Sequence, residues 1–332
     1  MKKLTLAYFG SPSFSAFFLE KILTDTDLKK TMEVKLIVTQ PDNPVGRKQI
    51  LTETPVKKAA KKYQISNIKY QIDIRNLKLE IRNFDLCLVY AFSHIIPKDL
   101  LSVPKLGFWN IHPSLLPKYR GPSPIAYPLI FGEKETGVTI IKMDEKIDHG
   151  PIIAQEKLKI EESNRRPDLE KKLTDLGFLM FKKLILNNFN ASTSLSINQF
   201  QLTPQADQNA TYTRLLKRED GFIPLSTLKK ALKNEPLNFE EMPPILKEIN
   251  PWKLEKRSSL EIIYNYFRGL YPWPGIWTLL CQGSAGQAQE KRLKIIDMEY
   301  DVKNHRLQVT RVQLEGKKKV DFETFNKAYQ VF

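Results

Sequence analysis

The sequence predicts an α/β protein with a mostly parallel sheet, followed by a smaller β-rich domain. Two patterns support this fold class. In the first half, short apolar segments alternate with segments of helical spacing, as in parallel sheets. In the last third, short segments of alternating polarity follow one another, as in a small β-barrel. With 332 residues, the chain is long enough for about two domains of ordinary size.

The chain opens with a predicted strand, turn and helix. Residues 4–9 form an apolar run typical of a buried strand, and the Gly-Ser-Pro at residues 10–12 indicates a turn. Residues 13–23 place several phenylalanines on one helical face. Further strands are expected at residues 34–38, 85–91, 107–112, 136–143 and 152–160, and helices near 54–63, 123–131 and 167–186.

A polar stretch without steady periodicity marks the expected domain boundary. It is rich in Asn, Ser, Thr and Gln, which favours a linker at residues 189–222. We therefore expect a first domain at 1–188 and a second at 223–332. The second domain should contain a helix at 262–269, strands at 277–281, 293–298, 307–314 and 319–322, and a loop at 282–289.

Composition and charge exclude several classes of protein. The longest apolar run, residues 86–97, falls short of the ~20 residues that span a bilayer, so no membrane partner is expected. The N-terminus lacks the pattern of an export signal, and the two cysteines form no C-x-x-C pair, so a cytoplasmic location is expected. The net charge of +15 favours a polyanionic partner such as nucleic acid, although a generally lysine-rich proteome would also produce it.

The turn after the first strand does not fit a dinucleotide site. It lacks the G-x-G-x-x-G pattern whose glycines let the backbone approach a pyrophosphate. A nicotinamide-dependent dehydrogenase is therefore disfavoured.

The segment richest in residues that could take part in catalysis is 107–121, GFWNIHPSLLPKYRG. Side chains alternate along a strand, so Asn110 and His112 should share one face at the strand's end. An Asn amide can donate to a developing oxyanion, and a His can do so or move protons near neutral pH. The spacing alone also fits a purely structural Asn and His, which is the commoner arrangement.

A carboxylate that could hold this imidazole lies in the loop at residues 144–151. Asp148 is the candidate, because a carboxylate beside a histidine favours the imidazolium and fixes the ring. Its alternative is an ordinary Asp in a turn that contains glycine.

Several segments, in order along nearly the whole chain, resemble the formyltransferase superfamily and, within it, the methionyl-tRNA formyltransferases. The general resemblance lies in Asn110-Ile-His112, SLLPKYRG (114–121), ETGVTI (135–140) and MDEKIDHG (143–150). The narrower one lies in TQPDNPVGR (39–47), TPVK (54–57), ATYT (210–213), KREDG (217–221), RGLYPWPG (268–275) and QLEGKK (313–318).

This resemblance implies a Rossmann-like catalytic domain, a C-terminal OB-like barrel that helps to bind tRNA, and a monomer. It implies formyl transfer from 10-formyltetrahydrofolate to the methionine amine of initiator methionyl-tRNA, without a metal. Asn110 and His112 would stabilise the oxyanion, and Asp148 would maintain the imidazolium and relay protons. The resemblance also assigns folate binding to Ser114, Leu115, Leu116, Pro117, Ala91, Phe92, Ser93 and Ile95, and tRNA binding to Arg47 and Lys48.

Two features depart from the family pattern. Ser93 stands where these proteins usually have glycine, which predicts an altered backbone or pterin fit. Residues 227–257 are an expected insertion, and its prolines predict a partly irregular segment. A surface loop is the favoured interpretation, and an added contact to tRNA is the alternative.

Two alternative functions stay open. One is a folate-dependent formyltransferase that acts on a sugar-nucleotide or purine-precursor amine, and the other is a catalytically silent tRNA-binding protein.

Overall fold

A computed structural model describes residues 3–46, 48–70, 76–189, 197, 200–248, 257–282 and 289–332. The chain divides into two compact units. Unit 1 comprises Met1–Pro124, Glu135–Lys159 and Glu170–Thr213. Unit 2 comprises Ile125–Lys134, Ile160–Leu169 and Arg214–Phe332. Among the described helices, none is long and apolar enough to cross a membrane.

Unit 1 is built on a seven-stranded sheet in the order β5-β2-β1-β6-β7-β8-β9. The strands from β5 to β7 are parallel, and β8 and β9 are antiparallel additions at one edge. The predicted α/β fold with a mostly parallel sheet is therefore confirmed. The strands are β1 Leu4–Phe9, β2 Met32–Thr39, β5 Ile68–Tyr70, β6 Leu86–Val89, β7 Phe108–His112, β8 Glu135–Lys142 and β9 Ile152–Lys159.

Two helices of unit 1, α2 Thr26–Thr31 and α3 Pro55–Lys62, begin after capping side chains. Asp25 caps α2 by accepting hydrogen bonds from the main-chain nitrogens of Asp27 and Leu28, both at 3.0 Å. Thr54 caps α3, whose first residue is Pro55. Strands β3 Asn43–Val45 and β4 Ile50–Thr52 form a separate hairpin. The helices are α1 Ser13–Thr24, α2 Thr26–Thr31, α3 Pro55–Lys62, α4 Lys78–Ile81, α5 Lys98–Leu101 and, from Glu170 on, α7 Arg166–Asn188.

Both faces of the parallel sheet are covered, as its apolar strands require. On one face, Phe9 and Val89 share a core cluster with residues of α4 and α5. On the other face, Phe18 of α1 packs on Tyr8 and Tyr90. On this second face, Gly177 of α7 lies so close to β7 that an added Cβ would be 3.0 Å from the Cγ2 of Ile111. Helix α7 therefore packs directly against β7.

Unit 2 contains a four-stranded antiparallel sheet in the order β10-β11-β12-β13. Its central helix α10, Ser259–Leu270, is capped by Ser258, which forms a capping box with Glu261. The expected small β-rich region is confirmed, and residues 283–288 of its predicted loop lie outside the described residues. The elements are α6 Ala126–Ile130, α8 Leu225–Leu232, α9 Pro244–Lys247, α10 Ser259–Leu270, β10 Ile276–Gln282, β11 Gln289–Asp301, β12 Arg306–Leu314, β13 Val320–Asp321 and α11 Phe322–Tyr329.

The expected insertion at residues 227–257 is partly helical, and its residues 249–256 lie outside the described residues. Helix α8 buries Leu228 and Ala231, which are three residues apart and share one helical face. Helix α9 buries Ile245 and Leu246 completely. The segment therefore contributes apolar side chains to the core of unit 2, which a surface loop would not do.

Candidate active site

Strand β7 presents two polar side chains at its carboxyl end. Asn110 is half-buried and His112 is 3% exposed. In the sheet register, Asn110 lies opposite Val89, the last residue of β6. The intervening residue Ile111 points instead towards Gly177 of α7. The alternation predicted from the sequence therefore holds, and the two polar groups share a face.

Asp148 is brought to both of these side chains. Asn110 Nδ2 donates a hydrogen bond to Asp148 Oδ1 at 2.9 Å, and His112 Nδ1 lies 3.5 Å from Oδ2. The main-chain nitrogen of Gly121 also donates to Oδ2, at 2.8 Å. With the Asp148 side chain only 13% exposed, these polar groups largely replace water around the carboxylate.

The second ring nitrogen of His112 determines which proton the ring carries. Nε2 lies 3.0 Å from the carbonyl oxygen of Tyr119, and a carbonyl can only accept, so Nε2 must donate. Nδ1 faces the carboxylate of Asp148, and at 3.5 Å that contact is too long for a strong hydrogen bond. A proton on Nδ1 therefore has room for another acceptor in the site.

Gly121 is required where it stands. Its φ is +106°, and a Cβ there would lie 2.6 Å from the carbonyl oxygen of Thr213. The loop that contains it is pinned by a distant segment: Arg120 N donates to Thr211 O at 2.9 Å, and Thr213 N donates to Arg120 O at 2.7 Å. The residues that contact His112 and Asp148 are thus held by residues 211–213.

Arg120 is buried, with 1% exposure, and polar partners offset the cost of burying its charge. It donates to Gln205, to Tyr212 and to Asp207 Oδ1, the last at 2.8 Å. This hydrogen bond holds the pKa of the Asp207 carboxyl below its ordinary value, although desolvation opposes the shift. Burial alone would lower the pKa of Arg120, but Asp207 and Tyr212 outweigh it and raise the pKa, so the guanidinium stays charged.

The segment at 114–117 follows β7 directly, and its main chain is held rigidly. Thr139 Oγ1 donates to Ser114 O at 2.6 Å and accepts from Leu116 N at 3.1 Å. Ser114 Oγ donates to Lys118 O at 2.7 Å, so this hydroxyl is engaged within the loop. Of the side chains assigned to folate here, Leu116 is buried, whereas those of Leu115 and Pro117 are half-buried.

The segment at 91–95 follows β6, the strand next to β7. Ala91 has a left-handed backbone with φ of +53°. Phe92 packs on the core, whereas Ser93 and Ile95 are exposed, Ile95 by 75%. Ser93 is not among the residues with positive φ, so a serine at this position needs no glycine-like backbone.

Of the two residues assigned to tRNA, Lys48 is exposed in the turn between β3 and β4, and Arg47 lies outside the described residues. The same hairpin exposes Val45, Ile50 and Leu51 by 56 to 67%.

Sequence reasoning missed the residues that hold the loops around Asp148. Gln205, Arg120 and Thr211 lie far from Asp148 in sequence, and their pairing leaves no local pattern. His149, which had no predicted role, lies between two carboxylates: Nδ1 is 2.6 Å from Asp144 Oδ2, and Nε2 is 3.3 Å from Asp207 Oδ2. Family motifs at residues 114–121, 143–150 and 210–213 marked the segments that contain Arg120, His149 and Thr211, but no motif covered Gln205.

Solved structures with a similar fold include a 4-N formyltransferase from Francisella tularensis. It has a TM-score of 0.54 and 18% identity, over 86% of this chain and 96% of that one. A sugar N-formyltransferase from Shewanella sp FDAARGOS_354 has a TM-score of 0.51 and 15% identity, with the same coverage. At these identities, the likeness shows a shared fold.

The family is shown by comparison of sequences. A family model described as formyl transferase matches residues 4–185. The chain is 35% identical over 298 residues to a methionyl-tRNA formyltransferase of Staphylococcus epidermidis, covering 87% of this chain and 78% of that protein. It is 31% identical to one of Caldicellulosiruptor saccharolyticus over 99% and 98% of the two chains. The chain therefore belongs to the formyltransferase family, among the methionyl-tRNA formyltransferases.

Proposed function

We propose that this protein transfers a formyl group from 10-formyltetrahydrofolate to the α-amino group of methionine on initiator methionyl-tRNA. Relatives named methionyl-tRNA formyltransferase, which align over nearly the whole chain, support the proposal. The single observation that carries the chemistry is the meeting of Asn110, His112 and Asp148 at the carboxyl end of β7. Ligands of open α/β sheets bind outside the carboxyl ends of the strands.

In the proposed mechanism, two donors stabilise negative charge on the formyl oxygen. The amide nitrogen of Asn110 uses one hydrogen for Asp148 and has a second for this oxygen. His112 acts as the imidazolium that Asp148 maintains: its Nε2 proton is engaged by Tyr119 O, and its Nδ1 proton is the one that it supplies to the formyl oxygen. Such preorganised donors act where charge develops in the transition state, which is why they accelerate the reaction.

Asp148 keeps both donors aimed and handles protons. Its Oδ1 fixes the amide of Asn110, and its Oδ2 lies near His112. As the methionine nitrogen bonds to the formyl carbon, it loses a proton, and the folate nitrogen gains one as its bond to that carbon breaks. Asp148, through a water molecule, is the proposed relay for this transfer.

The donor is proposed to contact Ala91, Phe92, Ser93 and Ile95 after β6 and residues 114–117 after β7. These segments follow neighbouring parallel strands, whose carboxyl ends meet at one edge of the sheet. Their main chains are the parts that a flat pterin ring would meet between the strand ends.

The acceptor tRNA is proposed to contact Arg47 and Lys48 and the C-terminal domain, residues 223–332, folded as an OB-like barrel. Support comes from the basic excess, +10 before Pro204 and +5 from there on, because phosphate contacts supply most of the affinity for nucleic acid. For a protein that serves the initiation of translation, we propose a cytoplasmic location.

The test is formyl transfer from labelled 10-formyltetrahydrofolate to initiator and elongator methionyl-tRNA, with the donor present or omitted. The His112→Ala variant is the matched control for contaminating activity. We expect donor-dependent product on the initiator tRNA alone, and none above background with the variant.

Two results would contradict the proposal. Product on free sugar-nucleotide amines but not on tRNA would favour a small-molecule formyltransferase. Binding of tRNA by the folded protein without any product would favour a silent tRNA-binding protein.

A further inference from the structure

The loop that contains Asp148 has a backbone conformation that is unfavourable unless other groups stabilise it. Asp148 has a φ of +50°, in the left-handed region that side chains other than glycine disfavour. Such a conformation persists only where neighbouring groups determine it. The carboxylate of Asp148 therefore reaches Asn110 and His112 only if something fixes its main chain.

The side chain of Gln205 supplies that fixation. Its Nε2 donates one hydrogen to Asp148 O at 2.9 Å and the other to Gly150 O at 2.8 Å. Its Oε1 accepts from Arg120 Nε at 3.1 Å and from Nη2 at 2.8 Å. Both ends of the amide are thus used, and the amide can bond this way in one orientation only, because carbonyls accept and a guanidinium donates.

Arg120 connects this amide to the other loop of the site. Its two neighbours in sequence contact the proposed catalytic residues: Tyr119 O accepts from His112, and Gly121 N donates to Asp148. Gln205 therefore joins the loop at 119–121 to the loop at 148–150. Both loops contribute main-chain groups to the same cluster of side chains.

We propose that Gln205 is a positioning residue for the formyl transfer reaction, acting through the main chain of Asp148. The inference rests on the proposed function, since it concerns the rate of that reaction. Gln205 itself does not touch the reacting groups. Its role is to keep the Asp148 carboxylate where it holds Asn110 and His112.

The test uses two substitutions that affect different halves of the amide. Gln205→Met keeps the length of the side chain and removes both sets of hydrogen bonds. Gln205→Glu keeps the acceptor for Arg120 and adds an ion pair, but it turns an oxygen towards the carbonyls of Asp148 and Gly150. The matched control is Gln201→Met, the same change at an exposed position of the same segment.

We expect both variants to lower kcat by about 100-fold, the scale of a misplaced catalytic group, with the KM for tRNA within about twofold of the wild type. Gln205→Glu should do so without a fall in Tm, which separates positioning from stability. Gln201→Met should match the wild type in both quantities. Wild-type kcat in the two Gln205 variants would overturn the inference, as would a loss of rate that follows Tm.

A double-mutant cycle tests the route through Asp148. In an Asp148→Asn background, Gln205→Met should slow single-turnover transfer by less than about threefold, because the group that it positions is already impaired. If Gln205→Met instead slowed transfer in this background as much as in the wild type, Gln205 would act by a route other than Asp148. A wild-type protein that transfers no formyl group to methionyl-tRNA would instead refute the proposed function, so the two failures are distinct.

Discussion

The neighbours of His112 determine which of its ring nitrogens faces the site. An imidazole has two nitrogens, and the carbonyl of Tyr119 fixes Nε2 as a donor. Only Nδ1 is then left to face the site, beside Asp148. The sequence predicted that Asn110 and His112 share a face, because alternation along a strand is a local property. It could not predict the partner of Nε2, because that depends on how the loop at 113–121 folds back.

Ser93 gives a prediction at the same scale. Because its φ is not positive and its side chain is exposed, replacing it should relieve no backbone strain. We expect Ser93→Gly to leave the KM for 10-formyltetrahydrofolate within about twofold of the wild type, on the scale of an exposed substitution. Steady-state kinetics with the donor varied would measure it. If the KM for 10-formyltetrahydrofolate instead fell tenfold in Ser93→Gly, the result would support the altered pterin fit that the family pattern predicts.

Gln205 marks the limit of local reasoning. It is 85 residues from Arg120, and no periodicity relates the two positions. The same holds for Thr211, whose main chain bonds to Arg120. Loops that assemble a site from distant segments are determined by tertiary packing, which a single sequence does not display.

At the scale of elements, the long apolar segments were predicted well and the short exposed ones were not. β1 and β7 are buried runs, and α1 has a continuous apolar face, so burial determined each of them. The β3–β4 hairpin was missed, because its strands have three residues each and lie exposed, without a hydrophobic alternation to show them. Helix α11 was missed, because the predicted strand at 319–322 ends at the first residue of the helix and no element was predicted beyond it.

The start of β6 depends on one buried carboxylate. Asp85 accepts hydrogen bonds from Thr5 N and Thr5 Oγ1, both at 2.8 Å, and from Lys105 Nζ at 2.6 Å. Burial raises the pKa of this carboxyl, but the bonds from Lys105 and Thr5 outweigh it and hold the pKa below its ordinary value. The ionised form therefore joins β6 to β1.

We expect Asp85→Asn to lower the free energy of unfolding by about 1–3 kcal/mol at pH 7, the cost of breaking hydrogen bonds to a charged group. Because the folded pKa is depressed, this contribution is complete above the unfolded value of about 3.9 and is lost as the pH falls through the folded pKa. Urea unfolding of both proteins between pH 7 and pH 3 would measure it.

The control for this measurement is Asp99→Asn, which alters an exposed ion pair with Lys78. It should change the unfolding free energy by less than about 1 kcal/mol. A loss at Asp85 that stays constant down to pH 3 would show that its charge is not what joins the strands.

At the scale of the whole molecule, the charge of +15 predicts how binding responds to salt. Each phosphate contact releases counterions, so raising NaCl from 50 to 200 mM should raise the KM for tRNA by at least about tenfold. Lys48→Gln should reduce the slope of log KM against log salt by about one, as for the loss of one phosphate contact. Lys30→Gln, at an exposed position of α2, is the control. A KM for tRNA that is independent of salt would contradict an electrostatic role for the basic excess.

In the proposed mechanism, Asn110, His112 and Asp148 carry out the transfer while other residues bind tRNA. The most direct test is the single-turnover rate of formyl transfer to initiator methionyl-tRNA in Asn110→Ala and His112→Ala, with the Kd for tRNA measured on the same preparations. We expect each variant to lose at least about 100-fold in rate, the effect of removing one oxyanion donor, with the Kd unchanged. A wild-type rate in either variant would contradict the assigned roles.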